Sequence, residues 1–144
     1  MFIVSMKTTR PRVIAYAAVM GAADRRRAVA QMARRILAAG CEAVVITGVE
    51  SGEFIENCVL TDVDAQPIWV SGHRVEQNFA GTGDVFASVL CGWLLRNVGL
   101  VEAVEKTTDF VCRTTAHTAE MDTNGQDGIA FEPFLGELSW RDFV

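Results

Sequence analysis

The feature that most constrains this chain is a helix-length amphipathic run abutting a short, wholly apolar one. "DRRRAVAQMARRILAAG", Asp24 to Gly40, puts Val29, Met32, Ala33, Ile36 and Leu37 on one helical face. Asp24 is placed to cap its start and Gly40 to end it. "EAVVITG", Glu42 to Gly48, comes at once after it, a β-branched run of the kind found in a strand buried on both faces. Helix, tight turn and buried strand together predict one unit of a parallel α/β sheet.

The rest of the chain extends that unit. "SGEFIENCVLTD" alternates less cleanly and reads as a strand or hairpin arm, and "QPIWVSG" as a short strand with Pro67 at its start, where a missing N–H does little harm. A helix is expected from about Thr82 to Asn97, supported by Val85, Val89, Gly92, Trp93 and Arg96, and Gly99 breaks the chain after it. "LVEAVEKTTDFVCRTTAHTAEM" predicts a long amphipathic helix with Val101, Val104, Thr108, Val111, Cys112 and Thr115 on one face. "DTNGQDG" reads as a loop and "FEPFLGEL" as a short closing helix. The expected order is helix, three strands, then three helices. Residues 1–21 are unplaced: "RPRVIAYAAVMG" has the composition of a strand, but no turn chemistry ties it to the helix beyond it.

Composition excludes several classes. With 144 residues, half of them hydrophobic, the chain is expected to form one compact domain. No apolar run is long enough to cross a bilayer, and "MFIVSM" is too short for a secretory signal. Cys41, Cys58, Cys91 and Cys112 are scattered, with no C-x-x-C pair and no histidine at ligand spacing. That pattern speaks against a metal site or a disulfide framework and for reduced thiols in a cytoplasmic protein. Residues 1–35 hold eight of the thirteen basic residues and one acid, Asp24. The arginines alternate with core-type residues and no aromatics interleave, so the segment reads as a solvated helix face plus an irregular leader, not as a nucleic-acid surface. His73 and His117 are lone histidines, and Trp69, Trp93 and Trp140 read as core or interface residues.

Chemistry is concentrated in "NFAGTGDVFASVL", Asn78 to Leu90. Gly81 and Gly83 allow a backbone that a Cβ would forbid, so several N–H groups at a helix start can converge on an anion. An aspartate in that turn would repel a phosphate that was merely held there. Asp84 makes sense as the group that takes a proton from a hydroxyl attacking phosphorus. The competing reading is a plain helix cap by Thr82 or Asp84. Phe86 stands where G-x-G-x-x-G needs its third glycine, and no G-K-[ST] is present after it, so the two best-known phosphate loops are excluded.

Taken in order, "VVITG" (Val44–Gly48), the strands, "GTGDVFASVLCGWLL", the long helix and "DGIAFEPFLGEL" resemble the C-terminal half of the pyridoxal kinase branch of the ribokinase-like family over residues 25–144. The resemblance implies part of a three-layer α/β/α sandwich, with residues 1–24 an unplaced basic leader. It implies transfer of the ATP γ-phosphate, with Mg2+, to the 5′-hydroxyl of pyridoxal, pyridoxamine or pyridoxine. Sugars are the runner-up acceptors, and a non-catalytic nucleotide- or partner-binding fragment is the rival reading. By position, Asp84 matches the family's catalytic base, Gly81, Thr82 and Gly83 its anion hole, and Thr47 and Gly48 its nucleotide-site wall; the resemblance implies no protein-held metal site. Family members are about twice as long, and their Asn-x-x-Glu motif, which helps organise Mg-ATP, occurs nowhere in this chain. The chain is therefore expected to be a truncated form. Its half-domain would leave apolar surface to be covered, which predicts a homodimer.

Overall fold

The computed structural model describes residues 2–6, 12–15, 22–121 and 125–139, with side chains from Asp24 onward. In chain order the elements are β1 (Phe2–Met6), β2 (Arg12–Ala15), α1 (Ala22–Ala38), β3 (Ala43–Ser51), β4 (Phe54–Leu60), β5 (Ile68–His73), α2 (Thr82–Leu95) and α3 (Leu100–Glu120). Two 3-10 segments, Gly125–Asp127 and Glu132–Leu138, close the described chain. The expected short closing helix is present, as a 3-10 helix, and Trp140 lies outside the described residues.

Five strands form one sheet in the order β2-β1-β3-β4-β5. Its side chains sort by parity, as a pleated strand requires. Val44 and Ile46 of β3, with Cys58 and Leu60 of β4, meet Val29, Ala33 and Leu37 of α1. Val45, Val59 and Val70 point the other way, into a core built with Phe86, Val89 and Leu90 of α2 and Ala103, Val104 and Phe110 of α3. The three-layer α/β/α arrangement is the one expected, and β3 is buried on both faces.

Strand direction departs from expectation. Every described pair is antiparallel, not parallel. The connections decide this. β3 and β4 are joined by Gly52 and Glu53 alone, with Gly52 at φ +61°, which makes a hairpin. The link from Leu60 to Ile68 is likewise far shorter than the crossover of a dozen or more residues that parallel pairing needs.

The first turn of α1 is exposed at Asp24, Arg26 and Arg27, as expected of a solvated face, yet its arginines also find partners. Arg25 donates to the Glu50 carbonyl at 2.6 Å, and Arg26 forks onto the Glu56 carboxylate of β4, one bond being 2.7 Å. Arg34 reaches the carbonyls of Val63 and Ala65, each at 3.2 Å. Arginines beside a helix N-terminus oppose its dipole. Here, acids and carbonyls of the sheet and its loops offset that cost.

Candidate active site

The glycine turn begins with Gly81 at φ +76°, a left-handed conformation that a side chain would strain. Gly81 is the N-cap of α2, and its carbonyl accepts from Val85 N at 3.0 Å. No side chain caps this helix. The Thr82 hydroxyl instead donates back to the Phe79 carbonyl at 2.9 Å, and Asp84 is exposed in the first turn. The plain-cap reading of "GTGD" therefore has no hydrogen bond to rest on. The N–H groups of a first turn have no partner inside a helix, and two residues of this turn, Thr82 and Gly83, line a cleft.

That cleft encloses about 230 Å³ and is lined by Thr47 and Gly48 from β3, Asn57 from β4, Thr82, Gly83 and Phe86 from α2, and Thr108, Cys112 and Thr115 from α3. Four of the six residues singled out in the sequence share it. Gly81 and Asp84 do not line it. Asp84 faces a second groove of about 330 Å³, running along α2 past Ser88, Trp93 and Arg96 to Leu138. The first turn of α2 thus stands between two cavities, with glycine backbone toward one and carboxylate toward the other.

The cleft's far wall depends on a β-bulge. The register of β3 against β4 shifts between Ile46 and Val49, and Gly48 sits there at φ +75°. The N–H of Gly48 donates to Asn57 Oδ1 at 3.2 Å, and Asn57 Nδ2 donates to Thr108 Oγ1 at 2.8 Å. Thr108 and Thr115 can face a cleft from inside a helix because their hydroxyls donate to the carbonyls of Val104 and Val111, at 2.7 and 2.9 Å. Burial pushes the Cys112 thiol up to about 11 and the Cys58 thiol up to about 12, so neither is a ready nucleophile.

The glycine turn is braced from behind. The N–H of Ala80 donates to the Gly125 carbonyl at 2.8 Å, and the N–H of Ala130 donates to Thr118 Oγ1 at 2.9 Å. His73 ends β5 at the cleft mouth, with its ring 5.2 Å from Phe54, and Arg74 beside it pairs with Glu50 at 3.3 Å. Asn57 is not legible as a site residue in the sequence, since a single asparagine in a strand carries no local signal. The helical spacing of Thr108 and Thr115 places them on the right face without revealing the cleft.

Among the described residues, no three His, Cys, Asp or Glu side chains gather as a metal site. No helix among them is long and apolar enough to cross a membrane.

The phosphomethylpyrimidine kinase family model matches residues 10–128, starting upstream of the segment whose sequence carries the resemblance. No curated protein matches the chain. Among solved structures, it is similar to a Bacteroides thetaiotaomicron protein provisionally named a phosphomethylpyrimidine kinase and crystallised with pyridoxal, at 22% identity and TM-score 0.72 over 85% of this chain and 43% of that one. It is also similar to pyridoxal kinase from Lactobacillus plantarum, at 25% identity and TM-score 0.59 over 65% and 34% of the two chains. Pyridoxal kinase from Entamoeba histolytica matches at 18% identity and TM-score 0.63 over 76% and 38%. The resemblance read from the glycine motif is borne out at the level of family and fold. The chain spans less than half the length of each of these structures.

Proposed function

The chain belongs to the phosphomethylpyrimidine kinase family, and on that premise we propose that it transfers the γ-phosphate of ATP to the 5′-hydroxyl of a B6 vitamer: pyridoxal, pyridoxamine or pyridoxine. The observation that carries the reading is the start of α2, where an uncapped helix N-terminus behind Gly81 adjoins an exposed Asp84. Two pyridoxal kinases and a protein crystallised with pyridoxal among the structural neighbours support the vitamer as acceptor.

In this reading Gly81, Thr82 and Gly83 form the anion hole, with backbone N–H groups directed at the transferring phosphoryl oxygens. Thr47 and Gly48 form the wall of the nucleotide site. Asp84 takes the proton from the acceptor hydroxyl as its oxygen attacks phosphorus and ADP leaves. Attacking and leaving oxygens must lie on opposite sides of phosphorus. Asp84 shares the first turn of α2 with Thr82 and Gly83, which keeps its carboxylate close to the phosphate they would hold. Mg2+ would arrive on the nucleotide phosphates and offset their charge.

Buried Cys58 and half-buried Cys112, both free thiols, support a cytoplasmic enzyme. Exposed Leu95 and the edge-strand residue Ile68 are surfaces that a homodimer would cover. A second reading, a non-catalytic fragment that binds nucleotide or a partner, is favoured by one observation: Asp84 does not line the cleft that Thr82 and Gly83 share.

Turnover of ATP and pyridoxal by wild type, Asp84→Asn and Asp84→Ala tests the assignment. The amide keeps size and shape but cannot accept the proton, so Asp84→Asn should lose roughly 100- to 10,000-fold in rate while ATP affinity barely changes. Full activity in Asp84→Asn would refute the catalytic role. A wild type that binds ATP but never turns over would favour the fragment.

A further inference from the structure

The cleft wall opposite the glycine turn is held by one buried amide. A bulge leaves a backbone N–H without its ladder partner, and an unpaired polar group is costly where water is excluded. At Gly48 that N–H is taken by Asn57 Oδ1 at 3.2 Å. Asn57 is 2% exposed, so its own NH2 needs an internal acceptor, which it finds in Thr108 Oγ1 at 2.8 Å. The Thr108 hydroxyl in turn donates to the Val104 carbonyl at 2.7 Å. One side chain on β4 thereby ties the bulge of β3 to the middle of α3. An aliphatic side chain could satisfy neither end, and a hydroxyl is too short to span both.

We infer that Asn57 is a positioning residue for the proposed phosphoryl transfer, fixing Thr47 and Gly48 relative to the anion hole of α2. It acts through Gly48 and Thr108, which line the same cleft as Thr82 and Gly83. The inference rests on the reading of that cleft as the nucleotide site. What it adds is the residue that keeps the wall in place.

A double-mutant cycle on the intact chain tests it, using Asn57→Leu, Thr108→Val and the pair. Three quantities are read: Kd for Mg-ATP by calorimetry well below each variant's Tm, Tm itself, and exchange of the Gly48 amide by NMR. Asn57→Leu should speed Gly48 exchange and weaken Mg-ATP binding by about tenfold, the equivalent of one charge-neutral hydrogen bond's worth of alignment at about 1.4 kcal/mol. Thr108→Val, which exchanges a hydroxyl for a methyl, should shift both in the same direction by less. The pair should be no worse than Asn57→Leu alone, because both changes cut one network. A merely structural role would lower Tm and leave Kd unmoved, and that result overturns the inference, as does strict additivity in Kd. If Asn57→Leu does not fold, Thr108→Val carries the test: unchanged Kd and unchanged Gly48 exchange overturn the inference. A wild type that binds no Mg-ATP overturns the kinase reading and the inference with it, a result distinct from wild-type binding that Asn57→Leu leaves intact.

Discussion

Removing the exposed partner of the Arg26–Glu56 pair should cost more stability than removing the buried one. The Glu56 side chain is 4% exposed, whereas that of Arg26 keeps 49%. Arg26 holds the carboxylate with two bonds, and the next polar neighbour, Ser71 Oγ, stands at 3.4 Å. In Arg26→Ala a carboxylate is left inside the protein with one weak partner. Breaking a buried pair in this way costs about 3–5 kcal/mol, and the low end applies because water can enter from the arginine's side. Contact with Trp69, whose ring centroid is 5.1 Å from the guanidinium, is lost as well. In Glu56→Gln the half-exposed guanidinium returns to water, at a cost of about 1 kcal/mol. For a chain of this length each kcal/mol moves Tm by roughly 2–4 °C, so Arg26→Ala should melt roughly 6–12 °C low and Glu56→Gln only about 2–4 °C low.

The pH dependence separates this account from simple loss of packing. The bond to Arg26 holds the Glu56 carboxyl below its ordinary value, against the opposing effect of burial. The wild-type contribution is therefore complete above the unfolded carboxyl value of about 4.3 and is lost as pH falls through the lower folded value. In Arg26→Ala burial is opposed only by the weak Ser71 bond and raises the same carboxyl, so that variant gains relative stability as it is acidified. The gap between the two should narrow from neutral pH downward. Circular dichroism melts across that range decide it. A deficit under about 1 kcal/mol at neutral pH, or one that widens on acidification, refutes the reasoning.

Two glycine substitutions probe the walls of the cleft. A Cβ at Gly72 of β5 would lie 2.4 Å from Cys112 Sγ and 2.9 Å from Thr108 Cγ2. Gly72→Ala should therefore destabilise by about 1–3 kcal/mol, and Cys112→Ala in the same chain should recover much of it; a wild-type melt for Gly72→Ala would show that α3 does not press on β5. At Gly125 the Cβ would lie 2.4 Å from the Asn78 carbonyl, a backbone atom that cannot rotate aside. Gly125→Ala should loosen the turn that Gly125 braces through Ala80, read as faster limited proteolysis between Asn78 and Gly83, and unchanged cleavage would refute the bracing.

What the sequence determined by itself was local. The face of α1 carrying Val29, Ala33 and Leu37 is set by helical period, and these residues are buried as that period requires. The left-handed glycines at Gly40 and Gly81 mark a helix end and a helix start, because only glycine takes that backbone at little cost. The two-sided burial of β3 comes from its unbroken apolar run. Tertiary structure decided what depends on distance in space. Strand direction is not legible from a helix followed by a strand, which carries no information about the neighbouring strand, whereas the hairpin at Gly52 does. Arg26 meets Glu56 across 30 residues, and Asn57 meets Thr108 across 51, by a register that no periodicity encodes. The division of the glycine motif, with Gly83 toward one cavity and Asp84 toward the other, arises because successive helical residues point about 100° apart. Which cavity each one meets is set only when α2 packs against α3, which itself lies on β4 and β5.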